Sequence, residues 1–277
     1  MQQEDVHPTR TPTGFVRKAL RRAALVALLG AIVLFLWVAL RTPSLTRDWD
    51  EDVRVLAGVE RSDGGTVLLK NVRDWSYTRD SVVGKSYIDA SYNPERIVDL
   101  WLYEQKLDDV GLVAHTFVVF EFDESHGPDR FLGLSVETRR EVGEKYSLIG
   151  GIVRSFEVTH IWATENDLVT RRVNFLDYPL TRHRLTLPAE VRTRIFYKFV
   201  EETEELAATP RWYSTMTNNC TSSLIRYVNQ SEPGALPRHY SYVLTGTVDA
   251  YLKRLGYLDT EHSQAITRDT LITIGIR

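Results

Sequence analysis

One cysteine, Cys220, stands in 277 residues, so no internal disulfide can form. No Cys pair, His-x-x-x-His spacing or acidic calcium loop occurs, which removes the common metal-site patterns. Gly-rich phosphate loops are missing too, since Gly64-Gly65 and Gly150-Gly151 are isolated turn glycines. A formal net charge of −3 leaves no broad basic field, and neither zinc-finger spacing nor an RNA-binding aromatic motif is present. No nucleic-acid partner, metal or cofactor is therefore expected. Internal repeats and low-complexity tracts are also lacking. What remains is a chain with 43% hydrophobic and 10% aromatic residues, enough for one sizeable core.

The longest apolar run is Ala23 to Leu40, AALVALLGAIVLFLWVAL, which carries no charge. At about 1.5 Å per residue in a helix it just covers the hydrocarbon layer. Arg17, Lys18, Arg21 and Arg22 precede it, Asp48, Asp50, Glu51 and Asp52 follow it, and Trp37 sits near its far end. The positive-inside rule places the N-terminus in the cytoplasm and the remainder outside. A cleaved signal peptide fits less well, because the run is long and no small-x-small site follows it. The expected organisation is a cytoplasmic tail over 1–22, a single span over 23–40, a linker and wrapping segment over 41–90, a folded domain over 91–260 and a tail over 261–277.

Within 41–90, Val67–Val72 and Asp74–Arg79 read as short strands, and Asp89–Pro94 reads as a turn. Asn93 and Pro94 carry helix-start chemistry, and Ile97, Val98, Trp101 and Leu102 then mark an apolar helix face. β-branched and aromatic runs predict strands over Gly111–Phe122, Phe131–Glu137, Ser155–Ala163, Leu168–Phe175 and Arg182–Leu187. Pro188–Leu206 is an amphipathic helix. A second helix starts near Cys220 and a third spans Val243–Leu255, stopped by Gly256. Strands followed by helices predict an α+β domain with a sheet packed on helices.

A lone thiol outside the cytoplasm is either a small buried hydrophobe or a group retained for its reactivity. Its setting, TNNCTSSLIRYVN, puts Cys220 in the first turn of a helix capped by Asn218 or Asn219. There the helix dipole favours a thiolate, and free amides can hold an oxyanion. A cysteine nucleophile needs a base. Seven histidines are present. His7 lies before the span, His126, His183, His239 and His262 lie in polar or unpatterned stretches, and His160 has nothing further in its favour. His115 interrupts an apolar strand, where an imidazole is costly unless it is bonded or functional. A satisfied core histidine is the competing reading. On the next strand Ser135 and Glu137 share a polar face and could orient the imidazole, Glu137 being the stronger candidate; a structural ion pair with an arginine is the alternative.

The His115 strand, the GLSVETRRE strand, the ENDLVTRRVNF segment and the NNCT helix start with its upstream Trp-Tyr resemble, in that order, the Lnb N-terminal periplasmic domain family. The likeness runs over roughly residues 90–260, and NNCT is its most specific element. It implies a circularly permuted papain-like (NlpC-like) antiparallel sheet packed on helices, with the histidine strand ahead of the cysteine helix. It also implies a bacterial inner-membrane protein with a periplasmic domain, acting as a cysteine-dependent acyltransferase. In that reaction an acyl chain moves from phospholipid through a thioester to the amino terminus of a lipoprotein. Cys220 would be the nucleophile, His115 its base, and the helix start at Asn219 and Cys220 the oxyanion donor. Ser135, Asn218 and Tyr213 would give support. Implied partners are membrane phospholipid, lipoprotein substrates and other membrane proteins. The name-giving enzyme carries further spans after this domain. A cell-wall or isopeptide peptidase on the same scaffold, and a non-catalytic binding module with a structural Cys220, are the competing functions. Asp167 and Arg171 also match the family pattern and are expected to form a structural ion pair.

Overall fold

The computed structural model describes residues 13–62 and 64–271. The expected tails over 1–22 and 261–277 therefore lie partly outside the described residues, and His7 wholly so. The chain divides into two compact units, Met1–Thr42 and Pro43–Arg277. The first is built on α1 (Thr13–Leu40), which is long and apolar enough over Gly14–Leu40 to cross a membrane. Its apolar side chains, Val26, Ile32 and Phe35 among them, are exposed on all sides, as suits a helix solvated by lipid rather than water.

The second unit opens with α2 (Glu51–Arg54) and continues through β1 (Gly58–Arg61), β2 (Val67–Tyr77), β3 (Val82–Tyr92), β4 (Ile97–Lys106), β5 (Ala114–Phe122) and β6 (Phe131–Arg139). Next come α3 (Leu148–Ile152), β7 (Glu157–Thr164), α4 (Glu165–Thr170), β8 (Leu180–Leu185), α5 (Ala189–Ala208), α6 (Cys220–Ser231), α7 (Val248–Arg254) and β9 (Leu258–Ile266). The strands form one sheet in the order β1-β2-β7-β6-β5-β4-β8-β9, with β3 added on β2. All pairings are antiparallel except the short parallel contact of β2 with β7 at Arg73 and Ala163. The domain is α+β, as its element order predicts. Residues 41–90, expected as linker and wrapping segment, supply three strands of this sheet, and part of the expected C-terminal tail forms the edge strand β9.

Apolar cores lie on both faces of the sheet. Leu100, Leu102, Val118, Phe120, Leu134 and Trp162 meet α5, α6 and α7 through Phe196, Phe199, Leu224 and Leu252. On the other face Tyr103, Phe117, Val119 and Ile161 meet Leu168, Val169 and Val173. Burial from both sides explains why β5 reads AHTFVVFEF with hardly any polar alternation.

Five expected elements differ. Asp89–Pro94, expected as a turn, is strand as far as Tyr92 and pairs with β2, and Gly150-Gly151, expected as turn glycines, lie within α3. The segment after Pro94 is a strand, not a helix. Asn93 accepts a hydrogen bond from Glu95 N and Pro94 opens a helical turn, but that turn is a 3-10 turn of three residues. Ile97–Lys106 then pairs along its length with β5 and also with β8. Its neighbouring apolar residues serve the two faces alternately, a pattern that also satisfies helical spacing. Conversely, Leu168–Phe175 is helical. Thr164 caps α4 by accepting from Asp167 N, and the helix runs on as a π turn over Arg171–Phe175. Leu168, Val169, Arg172 and Val173 are buried at helical spacing, overriding the β propensity of their valines. The helix expected over Val243–Leu255 is two 3-10 turns, Tyr240–Tyr242 and Thr245–Thr247, followed by α7. Gly256 follows its end with φ +81°, as expected of a helix stop.

Candidate active site

β5 and β6 pair only as far as Phe117 and Ser135, whereas β6 continues with β7 to Arg139. Past that point β5 and β6 part. The opening between them is a cleft of about 360 Å³ lined by Ala114 and His115 from β5, Val136, Glu137 and Thr138 from β6, and Asn219 and Cys220 from the start of α6. Cys220 and His115, 105 positions apart, thus share one cavity.

Local chemistry fixes the thiol. Asn219 is the N-cap of α6: its side chain accepts from Ser222 N, and its own amide donates to Ser222 Oγ at 2.9 Å. Asn219 Nδ2 donates to the carbonyls of Thr215 and Tyr242, both at 2.9 Å. This ties the helix start to two flanking loops. Cys220 is 6% exposed, with Sγ 3.8 Å from Ala114 O and 3.9 Å from Thr221 Oγ1. The Thr116 amide also donates to the sulfur. Thr245 Oγ1 clamps the beginning of β5, accepting from Ala114 N at 2.8 Å and donating to Ala114 O at 2.6 Å.

His115 meets the thiol from the other side. Its Nε2 lies 2.9 Å from Ser135 Oγ and 3.3 Å from Glu137 Oε1. The imidazole shares the cleft with Cys220, and each group shifts the protonation of the other through charge and hydrogen bonding. Ser135 Oγ donates to Glu137 Oε1 at 2.7 Å. Behind them Arg172, 2% exposed, donates to Glu137 Oε1 at 2.8 Å and to Ser135 Oγ at 3.2 Å, with its guanidinium 4.5 Å from the centre of the Phe117 ring. The result is a chain of contacts from thiol to imidazole to carboxylate to guanidinium.

The electrostatics follow. Burial works against the imidazolium, but the Glu137 carboxylate and the Cys220 sulfur outweigh it and raise His115 to about 9. Burial likewise works against the thiolate, and His115, the Thr116 amide and Thr221 outweigh it, so Cys220 falls below its ordinary value. Glu137 is held well below the carboxylate range, His115 and Arg172 overcoming its desolvation. Burial pulls Arg172 down to about 10, which leaves it charged at neutral pH. Tyr213 lines the cleft with its phenol pushed up by burial and by the nearby sulfur, so it stays neutral. Such an arrangement favours thiolate and imidazolium together.

Cys220, His115, Glu137, Asn219 and Tyr213 line this cleft, while Ser135 lies buried behind it, bonded to His115 and Glu137. Asn218 does not line it. Its side chain braces the preceding loop instead, donating to Trp212 O and accepting from Ser223 and Arg226. Asp167 and Arg171 are not partners of each other. Buried Asp167 accepts two bonds from Arg73 and one from Trp75 N, while Arg171 pairs with Asp52 at 2.6 Å. Both are ion pairs, but each with a residue from the segment read as a linker. Arg172, Thr116 and Thr245 were not singled out from sequence. Arg172 sits in a segment whose valines predict a strand, and the two threonines resemble any others.

Among the described residues His115 is the histidine lining the cleft. His160 is a core residue: its nitrogens meet Thr203 Oγ1 and Tyr227 OH, and burial lowers it to about 3. Glu104, His183 and Asp249 bring potential ligand atoms within 4.8 Å of one another. A cation already serves that cluster, since Lys106 Nζ lies 2.8 Å from Glu104 Oε1.

This architecture is that of an α+β domain with a thiol, an imidazole and a carboxylate in one cleft. The chain belongs to the Lnb N-terminal periplasmic domain family, whose model matches residues 84–251. Together with α1, that membership fits a single-pass protein with a periplasmic domain. No curated protein and no solved structure matches the chain.

Proposed function

We propose that the protein is a membrane-anchored, cysteine-dependent acyltransferase, with its N-terminus in the cytoplasm and its domain on the periplasmic face of the inner membrane. The fold would be a permuted papain-like one, a reading supported by a histidine strand that precedes the cysteine helix. The observation carrying the activity is the Cys220–His115–Glu137 alignment in a cleft with partly apolar walls. Leu107, Val113, Leu148 and Leu176 among its lining suit an acyl chain better than a polar peptide.

In this mechanism the Cys220 thiolate attacks an ester carbonyl of a phospholipid and forms the C–S bond. The amide of Cys220 at the helix start donates to the oxyanion. As the C–O bond breaks, the His115 imidazolium gives its proton to the leaving lysolipid oxygen. A lipoprotein amine then attacks the thioester, losing a proton to His115. The C–N bond forms and the thiolate leaves. Glu137 stabilises the imidazolium in the first half, and Arg172 and Ser135 hold Glu137 in place.

The test is to incubate the full chain in vesicles containing phospholipid with an alkyne-tagged acyl chain. Hydroxylamine-labile label on Cys220, absent from Cys220→Ala and strongly reduced in His115→Ala, is the expected result. A folded, unlabelled protein that cleaves cell-wall peptides would replace this reading with a peptidase. A thiol inert to alkylation would remove both.

A further inference from the structure

Exposed apolar side chains are concentrated in the segments that line the cleft. Val110 (78% exposed) lies on the loop joining β4 to β5, Ile149 (73%) and Ile152 (56%) lie on α3, and Met216 and Leu244 lie on the loops flanking α6 and α7. Among the described residues beyond the span, only Leu45, Val83 and Val98 of the exposed large apolar side chains fall outside the segments that border this cleft. Scattered exposed hydrophobes are ordinary, whereas a patch around a functional opening marks an interaction surface.

The lips that carry these side chains are fixed in place. Gly246 donates its amide to Leu112 O at 3.0 Å, and a Cβ on Gly246 would lie 2.3 Å from Gly111 O, so the two loops meet backbone to backbone. On the other lip α3 lies so close to the 213–215 segment that a Cβ on Gly151 would come within 2.2 Å of Thr215 Oγ1. The apolar groups are thus held outward by the fold and are not the loose ends of a mobile loop.

We propose that this rim docks into the surface of the lipid bilayer, opening the Cys220 cleft directly onto the membrane. The membrane is the favoured occupant because of chain length. α1 ends at Leu40 and the folded unit begins at Pro43, so at most roughly 10 Å of extended chain separates them. The domain is therefore tied to the bilayer that the span is long enough to cross, and lipid is the surface it meets at the highest effective concentration. The side chains are also of the right kind: aliphatic at the tips, with Tyr146, Tyr178 and Tyr240 half-exposed beside them, as at membrane–water boundaries. Acidic residues in the bordering segments (Asp108, Asp109, Glu141, Glu144, Asp177) offset the basic ones (Lys106, Arg140, Lys145, Arg154, Arg238), which leaves no net cationic patch. Docking is accordingly driven by apolar burial and does not require anionic lipid. The inference deepens the acyl-transfer reading by giving a membrane-embedded substrate a dry route to the thiol.

The test uses the full chain in phosphatidylcholine vesicles, in a Cys220→Ser background, with single cysteines carrying an environment-sensitive fluorophore. Val110→Cys and Ile149→Cys report on the rim, and Val83→Cys and Val98→Cys on exposed positions elsewhere. The rim probes are expected to shift to the blue and to be quenched by lipid bearing a nitroxide near the headgroup, with little dependence on salt, while the other two stay unquenched. Rim probes that behave like those at Val83 and Val98 would overturn the proposal. So would a blue shift without quenching by lipid, which would mean that protein covers the rim. The readout does not use Cys220, so the two readings can fail separately. Acyl capture with an unquenched rim removes docking alone, and a quenched rim without acyl capture removes the transfer reaction alone.

Discussion

Glu137 decides the protonation state of the pair it supports. His115 is raised to about 9 against the opposing effect of burial, and the carboxylate is the largest contributor to the rise. Glu137→Gln keeps the shape and removes the charge. The imidazolium should then deprotonate at lower pH, and the thiol should lose part of its own depression. Alkylation rate against pH measures this: the wild type should react at lower pH than a free thiol does, and the variant's curve should move to higher pH. Acyl transfer, which needs the imidazolium as acid, should fall above about 9 in the wild type and at lower pH in the variant. Stability follows the same signs. The raised imidazole stabilises the fold fully below its unfolded value of about 6.5 and ceases to as pH rises through its folded value. The depressed carboxylate stabilises above its unfolded value and is lost on acidification through its folded one. Arg172 acts behind Glu137. Arg172→Met would leave Glu137 with His115 and Arg171 as its cationic neighbours and would remove the guanidinium's bonds to Leu168 O and Ser135, at a cost of about 3–5 kcal/mol. A lower denaturation midpoint, together with slower alkylation even where the variant remains folded, would separate positioning from mere bulk. Arg172→Lys should recover charge but not the fork or the stacking on Phe117.

At the scale of elements, α6 was the most legible. NNCTSSL placed Cys220 in the first turn behind a cap at Asn218 or Asn219, and the cap is Asn219. Asn219 does more than cap, since its amide nitrogen also pins two loops. Asn219→Ala should therefore cost more than an isolated cap, about 2 kcal/mol at the upper end of the usual range, and should raise the pH needed to alkylate Cys220. An unchanged alkylation profile in a destabilised variant would confine Asn219 to stability. Ile97–Lys106 and Leu168–Phe175 were misread for opposite reasons. In the first, start signals at Asn93 and Pro94 were correct but said nothing about how far the helical turn would run, and pairing with β5 and β8 decided the rest. In the second, valines suggested a strand, while Thr164 and Asp167 had begun a helix. That second error hid Arg172, because only a helix turns its side chain toward Glu137. That Ser135 and Glu137 share the face that meets His115 was foreseeable from alternation on two neighbouring strands. The parting of those strands to form the cleft was not, because it depends on where pairing stops.

For the whole molecule, the consequence of joining a span directly to a cleft-bearing domain is kinetic. A short tether confines the domain at an effective concentration in the millimolar range relative to the surface it is tied to. A protease site inserted between Thr42 and Pro43 in the full chain allows that contribution to be removed after folding. The cleft, the lips and both cores lie wholly within Pro43–Arg277, so alkylation of Cys220 should be unchanged by cleavage. Acyl capture from vesicles should behave differently. With dilute protein and lipid in the micromolar range, the loss of confinement should slow it by roughly 10-fold or more. Raising the lipid concentration should restore it, because the released domain still carries the apolar rim. Equal capture before and after cleavage in dilute vesicles would mean that the anchor adds nothing to substrate access. Capture that stays low at high lipid would mean that the span, and not confinement alone, completes the site. Comparing alkylation with capture in one preparation distinguishes these outcomes, since the first reads the thiol and the second reads its supply of lipid.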